Sequence, residues 1–184
     1  MISICGAGRN VGKTYLGESI ISHFSAKNNI VAIKISKIKH KNHQTDCLKE
    51  LYKTENYTIW EEMQITNKDS GRYLKSGAKL SIYIESNHAH LLEAFFFAKN
   101  NYCESSFIIC ESASIVKVIK PAVSIFVNVR HLPIPNNKLE CYELSDVILN
   151  SFSTEISEPQ LFLEIENNKW VVKTTKKEME YGKV

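Results

Sequence analysis

Residues 5–14, with the sequence CGAGRNVGKT, have the types and spacing to bind phosphate. They fit the GxxxxGK[ST] pattern, except that Ala7 stands where the pattern has its first glycine. Small residues let consecutive backbone N–H groups surround a phosphate, and the positive end of a helix that starts near Lys13 attracts the same charge. The segment therefore predicts a phosphate-binding loop, or P-loop, with nucleotide contacts from Gly8, Arg9, Asn10, Val11, Gly12, Lys13, Thr14 and Tyr15.

The two residues that end this pattern predict how a triphosphate and its metal are held. Lys13 is expected to reach the β- and γ-phosphates, and the Thr14 hydroxyl is expected to ligate Mg²⁺. The loop indicates phosphate but not the base, so the nucleotide stays open between GTP and ATP.

Two acidic residues are candidates to complete the site. Glu111 ends the apolar run FIIC, so it is expected at the carboxyl edge of a sheet, where ligands bind in open α/β folds. Asp69 begins the segment DSGRYLKSGA, which predicts a helix over residues 70–76 with Asp69 or Ser70 as N-cap and Gly77 as stop. We predict Lys13, Asp69 and Glu111 as catalytic residues and Thr14, Asp69 and Glu111 as metal ligands. Helix capping is the alternative role for either acid.

Positive charge follows the second predicted strand. Lys34, Lys37, Lys39 and Lys41 alternate along it with His40 and His43. This cluster is expected to meet a second anionic substrate, chiefly through Lys34 and Lys37. A solvated loop that keeps a sheet edge exposed to water is the alternative. The residues His40, His43 and Cys47 also have a metal-binding spacing, although with three ligands and no fourth.

Apolar runs rich in Ile and Val alternate with helical patterns, as in a mostly parallel sheet covered on both faces. The predicted strands are 2–5, 30–36, 80–85, 107–111, 123–129 and 146–151, and the predicted helices are 13–25, 46–52, 70–76 and 88–99. Segments 161–165 and 170–173 predict a C-terminal β-hairpin added to the sheet. The fold class is therefore α/β, a P-loop three-layer sandwich. It is expected to form a single domain over 1–184, with its core at about 1–155 and the hairpin appendage at about 158–175.

Composition excludes several classes of protein. Of 184 residues, 43% are hydrophobic, which excludes wholesale disorder. The 23 Lys+Arg and 20 Asp+Glu leave a net charge of +3, too little for a surface built for nucleic acid or anionic membrane. No apolar run approaches the roughly 18 residues of a membrane span, and the five cysteines contain no CxxC pair. We predict a cytoplasmic protein with no nucleic-acid or membrane partner.

Four segments resemble the MobB family, the molybdopterin-guanine dinucleotide biosynthesis protein B branch of dethiobiotin-synthetase-like P-loop proteins. They are GAGRNVGKT, VAIKIS, KDSGRYLKSGA and FIICES, in this order within about residues 1–130. The resemblance implies an Mg²⁺-dependent protein that binds GTP or ATP, forms a homodimer and serves assembly of the guanine-dinucleotide molybdenum cofactor. It implies phosphate or metal contacts from Gly8, Gly12, Lys13 and Thr14, a contact from Lys34, and an acidic pair of Asp69 and Glu111.

The chain departs from that family in two places. Ile35 and Ser36 follow Lys34 where such chains tend to have histidines, and Ser112 follows Glu111 where they usually have glycine. Three functions therefore remain: an accessory NTPase that acts on a protein partner handling a molybdopterin-related molecule, a kinase or ATP-dependent ligase similar to dethiobiotin synthetase, and a nucleotide-loaded adaptor without catalysis. The first function predicts a weak nucleoside triphosphatase, and the second predicts a phosphotransferase.

Overall fold

A computed structural model describes residues 1–38, 46–104, 106–129, 132–151, 158–173 and 178–181. Its strands are β1 (Ile2–Gly6), β2 (Ile30–Lys37), β3 (Leu48–Lys53), β4 (Tyr57–Glu62), β5 (Leu80–Ser86), β6 (Phe107–Ser112), β7 (Val123–Val129), β8 (Val147–Ser151), β9 (Leu163–Glu166), β10 (Lys169–Val172) and β11 (Glu178–Tyr181). The α-helices are α1 (Lys13–Phe24), α2 (Asp69–Lys75), α3 (Leu91–Tyr102) and α4 (Leu139–Glu143).

One nine-stranded sheet, in the order β11-β8-β7-β1-β6-β2-β5-β4-β3, organises the fold. The strands from β11 through β5 in this order run parallel, and β4 pairs antiparallel with both β5 and β3. The expected α/β class with a mostly parallel sheet is thus confirmed. A parallel sheet brings the carboxyl ends of neighbouring strands to one edge, and here the ends of β1, β2 and β6 lie side by side.

Helices cover both faces of the sheet, because the central strands are apolar on both sides. Residues of α1, α2 and the C-terminal hairpin pack on one face, against side chains such as Ile4, Ala32 and Ile109. Helix α3 packs on the other face, against Ile33 and neighbouring side chains. Both faces of these strands are therefore core, which is why they appear in the sequence as unbroken apolar runs.

The helix predicted over residues 46–52 is wrong, because residues 48–52 of this segment belong to the edge strand β3. Leu48 and Leu51 are spaced by three residues, which imitates one turn of a helix. In the sheet, a register shift between Glu50 and Tyr52 breaks the normal alternation of β3 against β4. The shift leaves Leu48 and Leu51 half-buried and their neighbours exposed, so the helix-like spacing arises from a β-bulge.

Other boundaries also differ from the sequence-based expectation. The N-cap of α2 is Lys68, not Asp69 or Ser70, whereas Gly77 follows the helix with a φ of 100° as a stop signal should. Helix α3 begins at Leu91, three residues after the predicted start.

The C-terminal hairpin is confirmed as β9 and β10, but it does not extend the main sheet. Asn167 and Asn168 form its turn with φ values of 49° and 58°, and the two strands make a separate sheet. Strand β11, which the sequence did not predict, pairs with β8 and forms that edge of the main sheet instead. Within the described residues, no helix has the length and apolar character needed to cross a membrane.

Candidate functional site

The candidate phosphate loop, residues 7–12, connects β1 to α1 and is fixed against β7. Ala7 N–H donates to the Val127 carbonyl at 3.0 Å. A Cβ on Gly6 would lie 2.6 Å from the same carbonyl oxygen, so this glycine permits the close approach. The chain then turns through positive φ at Asn10 (57°) and Gly12 (94°), and Gly12 is the N-cap of α1. The loop backbone therefore leads directly into the amino end of a 12-residue helix.

Lys13 folds back over this loop. Its ammonium donates to the Gly8 carbonyl, and its side chain is half-buried. Burial lowers the pKa of Lys13, the nearby Glu111 charge opposes that effect, and the Lys34 charge adds to it. In contrast to Gly6, Gly8 is not required by packing, because an added Cβ would find nothing closer than a Val11 methyl at 3.9 Å.

Glu111 lies at the centre of the site although it is almost fully buried, with 2% of its surface exposed. One carboxylate oxygen, Oε2, accepts hydrogen bonds from the Thr14 hydroxyl at 3.0 Å and from the Tyr73 phenol. The other, Oε1, accepts from the Lys34 ammonium. A buried carboxylate needs such donors, because an unpaired charge away from water is costly.

Asp69 reaches the same cluster from the first turn of α2. Its carboxylate lies 2.9 Å from the Lys34 ammonium and close to the Thr14 hydroxyl, whose proton is donated to Glu111. Partial burial acts to raise the pKa of Asp69, but the charge and hydrogen bond of Lys34 outweigh it and hold that pKa below its ordinary value. Asp69 is thus the first residue inside α2, and its side chain contacts charged groups of the site rather than capping the helix.

Strand register explains why these residues meet. Glu111 on β6 is paired with Ile4 on β1 and with Lys34 on β2, so the three side chains lie in one row across the sheet and on one face. Helix α2 packs over β2 and β5 on that face, which brings Asp69 to the end of the row. Of the predicted residues, the structure brings together Lys13, Thr14, Lys34, Asp69 and Glu111.

Other predicted residues lie apart from this cluster. Arg9 and Asn10 are exposed at the tip of the loop, and Lys37 is exposed at the end of β2. Lys39, His40, Lys41 and His43 fall outside the described residues. The predicted combination of His40, His43 and Cys47 therefore stays a prediction, and among the residues that are described no group of three or more His, Cys, Asp and Glu side chains could hold a metal ion.

Tyr73 is the site residue that the sequence did not predict. Its ring is 1% exposed, and burial together with the Glu111 charge raises the pKa of its phenol well above the ordinary value, so the phenol stays protonated as a donor. Space for the ring comes from Gly17 on α1, where an added Cβ would lie 2.8 Å from the Tyr73 Cε1 atom. A glycine inside a helical pattern was the available indication of this close contact.

Arg72 of α2 pairs with an acidic side chain of α1. Its guanidinium makes a two-pronged ion pair with Glu18 of α1, with Nε 2.9 Å from Oε1. This pair joins α1 to α2, so it holds together the two helices that carry Lys13, Thr14 and Asp69.

The donor set suits a small hard cation and a phosphate chain. Mg²⁺ prefers hydroxyl, carboxylate and phosphate oxygens in octahedral geometry, and Thr14, Asp69 and Glu111 offer three such groups within one hydrogen-bonded cluster. Lys13 and the amino end of α1 supply positive charge beside them. In comparisons with known proteins, no protein family, no curated protein and no solved structure matches the chain.

Proposed function

We propose that the chain is an Mg²⁺-dependent P-loop protein that binds GTP or ATP and hydrolyses it slowly. The observation that carries this proposal is the position of Glu111, which hydrogen-bonds Thr14 at the start of α1 while lying in register with Lys34. A hydroxyl placed between a phosphate-type loop and a strand-end acid is what a magnesium–triphosphate complex requires.

The residues of the cluster share three tasks in this proposal: they bind phosphate, hold the metal and orient the nucleophile. The loop N–H groups and Lys13 bind and orient the phosphates, while Thr14, Asp69 and Glu111 hold Mg²⁺. When bound, Mg²⁺ neutralises charge on the phosphate oxygens. Glu111, shielded from solvent, orients a water or other nucleophile near the terminal phosphate. Positioning and charge stabilisation account for most of the catalysis in phosphoryl transfer, so no covalent step on the protein is needed.

The biological role we propose is that of a MobB-like accessory factor. The support is the four sequence segments of the resemblance, all of which supply clustered residues: the loop, the strand with Lys34, the helix with Asp69 and the strand with Glu111. In this role the chain is a cytoplasmic homodimer that acts with a protein partner on a molybdopterin-related molecule.

A phosphotransferase is the second candidate, and the position of Lys34 favours it. Lys34 lies beside the two acids at the carboxyl edge of β2, where an anionic acceptor would face the terminal phosphate of ATP. Lys37 is exposed at the end of β2, three residues further along and therefore on the opposite face of the strand, so Lys34 carries this contact. This candidate predicts turnover that depends on a second substrate. A nucleotide-loaded adaptor predicts no turnover at all.

The test is nucleotide binding by Lys13→Ala, measured by titration calorimetry with Mg²⁺ and ATP or GTP. Loss of a charged contact to phosphate costs about 1.5–3 kcal/mol, so the affinity is expected to fall by roughly ten- to a hundredfold. Lys27→Ala removes an exposed lysine beyond the end of α1 and is expected to bind as wild type does. Equal affinity in Lys13→Ala and wild type would contradict the proposal, and the preferred base separates the MobB-like role from the kinase or ligase.

A further inference from the structure

The Lys34 ammonium lies between the two acids that are proposed to hold the metal. Its nitrogen is 2.9 Å from the Asp69 carboxylate and donates to Oε1 of Glu111. Lys34 is itself largely shielded, with 19% of its side chain exposed, and the partner Glu111 side chain is 2% exposed. A single cation therefore pairs with both carboxylates, one of them buried (Glu111) and the other partly exposed (Asp69).

Glu111 has little capacity left for a second cation. Both oxygens of Glu111 accept hydrogen bonds, Oε1 from Lys34 and Oε2 from Thr14 and Tyr73. Mg²⁺ needs oxygen atoms at about 2.1 Å and tolerates little distortion. An incoming ion has to displace a donor and then share the site with a positive charge.

We propose that Lys34 is a built-in counter-cation that occupies the place of the divalent metal until nucleotide arrives, so that the protein binds the metal only together with the nucleotide. This inference rests on the proposed function, because it takes Asp69 and Glu111 as the metal-binding acids.

The charges explain why nucleotide would reverse the preference. A triphosphate brings several negative charges, which attract both the metal and the displaced ammonium. Lys34 then leaves the two carboxylates and contacts a phosphate or an anionic acceptor. The metal binds the carboxylates that Lys34 has left. Linkage requires the effect to be reciprocal, so the metal must raise nucleotide affinity by the same factor as nucleotide raises metal affinity.

Tyr73 has the role of a positioning residue in this exchange. Its phenol donates to Glu111 from inside the contact between α1 and α2, so one of the donors to Oε2 stays in place when Lys34 leaves. The carboxylate consequently remains oriented for the metal.

The direct test is Mn²⁺ binding to the nucleotide-free protein, measured by electron paramagnetic resonance. Wild type is expected to bind Mn²⁺ weakly, whereas Lys34→Gln and Lys34→Met are expected to bind it about ten- to a hundredfold more tightly, the effect of removing one nearby charge. Lys75→Met removes an exposed lysine from the far end of α2 and is expected to match wild type. Equal Mn²⁺ affinity in wild type and Lys34→Gln would overturn the inference.

A second measurement keeps the test valid if a variant folds poorly. Lys34→Gln retains an amide donor for the carboxylates, and circular dichroism reports whether it is folded.

A further measurement needs wild type alone. In titration calorimetry, Mn²⁺ is expected to raise the affinity of wild type for a nucleoside diphosphate at least tenfold. Lack of any such coupling in wild type would overturn the inference.

The two proposals fail in different experiments. The Mn²⁺ titration contains no nucleotide, so it does not depend on the candidate phosphate loop. If Lys13→Ala binds nucleotide normally, the proposed function fails. If Lys13→Ala loses binding while Lys34→Gln shows no gain in Mn²⁺ affinity, the proposed function stands and only the role of Lys34 is wrong.

Discussion

A single residue, Asp69, shows how the local environment decides the role of a side chain. The sequence allows it to be a helix cap, a metal ligand or both, because its type and position suit each task equally. In the fold, Lys68 takes the N-cap position and the Asp69 carboxylate turns toward Lys34 and Thr14. The residue is thus committed to the charged cluster of the site.

This commitment makes the stability of the protein depend on pH. The folded pKa of Asp69 lies below its ordinary value of 3.8, so folding favours the ionised form. The resulting stability is fully present above the unfolded pKa, near 4, and is lost as pH falls through the lowered folded pKa. We therefore expect the thermal midpoint of wild type to lie above that of Asp69→Asn at pH 7. The two midpoints are expected to converge as the pH is lowered to 3.

The control for this pH series is Glu55→Gln, at an exposed acid between β3 and β4. Its thermal midpoint is expected to follow that of wild type throughout the series. A constant gap between wild type and Asp69→Asn down to pH 3 would show that the carboxylate charge contributes nothing to folding.

At the scale of elements, the contact between α1 and α2 carries the site. Replacing glycine by alanine inside a helix normally stabilises it by about 0.5–1 kcal/mol. At Gly17 the added Cβ would lie 2.8 Å from a buried Tyr73 ring whose phenol is held by Glu111. We expect Gly17→Ala to lower the free energy of unfolding by roughly 1–3 kcal/mol, measured by urea denaturation, because the packed ring cannot move without losing its hydrogen bond.

A double mutant distinguishes a clash with Tyr73 from a general effect of Gly17→Ala on α1. In a Tyr73→Ala background the obstructing ring is absent, so Gly17→Ala is expected to be neutral or stabilising. Ser19→Ala, two residues along the same helix, is expected to change stability little. If Gly17→Ala destabilises both backgrounds equally, the strain does not come from Tyr73.

The central elements could be predicted from the sequence and the outer ones could not, for a physical reason. Strands buried on both faces, such as β2 and β6, must be apolar throughout, and they were located within one residue of their true ends. Strand β3 lies at the edge, where partial exposure permits charged residues and a bulge removes the alternation. Pairing partners far along the chain, not local preference, determine such segments.

The candidate site shows the same division between local and distant information. Thr14 and Glu111 could be located because a loop pattern and a strand end specify them locally. Tyr73 could not, since an aromatic residue in a helix usually belongs to the core and its partner Glu111 lies 38 residues further along the chain. The expected contact of Lys34 with an anion was likewise incomplete, because only the placement of α2 brings Asp69 beside it.

At the scale of the whole molecule, the C-terminal hairpin is part of the core on the face that bears the site. Trp170 of β10 is 3% exposed and makes edge-on ring contacts with Phe24 at the end of α1 (5.1 Å) and Phe107 at the start of β6 (5.4 Å). Phe107 and Glu111 are separated by four residues on β6, or about 13 Å along the strand. The hairpin therefore packs at the opposite end of β6 from the site.

This arrangement predicts that the hairpin stabilises the whole chain without taking part in nucleotide binding. Trp170→Ala is expected to lower the free energy of unfolding by about 3–5 kcal/mol in urea denaturation, in one cooperative transition and with unchanged nucleotide affinity. Trp170→Phe is expected to cost much less, because it keeps the ring contacts and removes an indole N–H that is buried without a hydrogen-bond partner among the described residues. An appendage that folds independently would instead give two unfolding transitions. Only the transition of the hairpin would then respond to Trp170→Ala, and the rest of the chain would keep the stability of wild type.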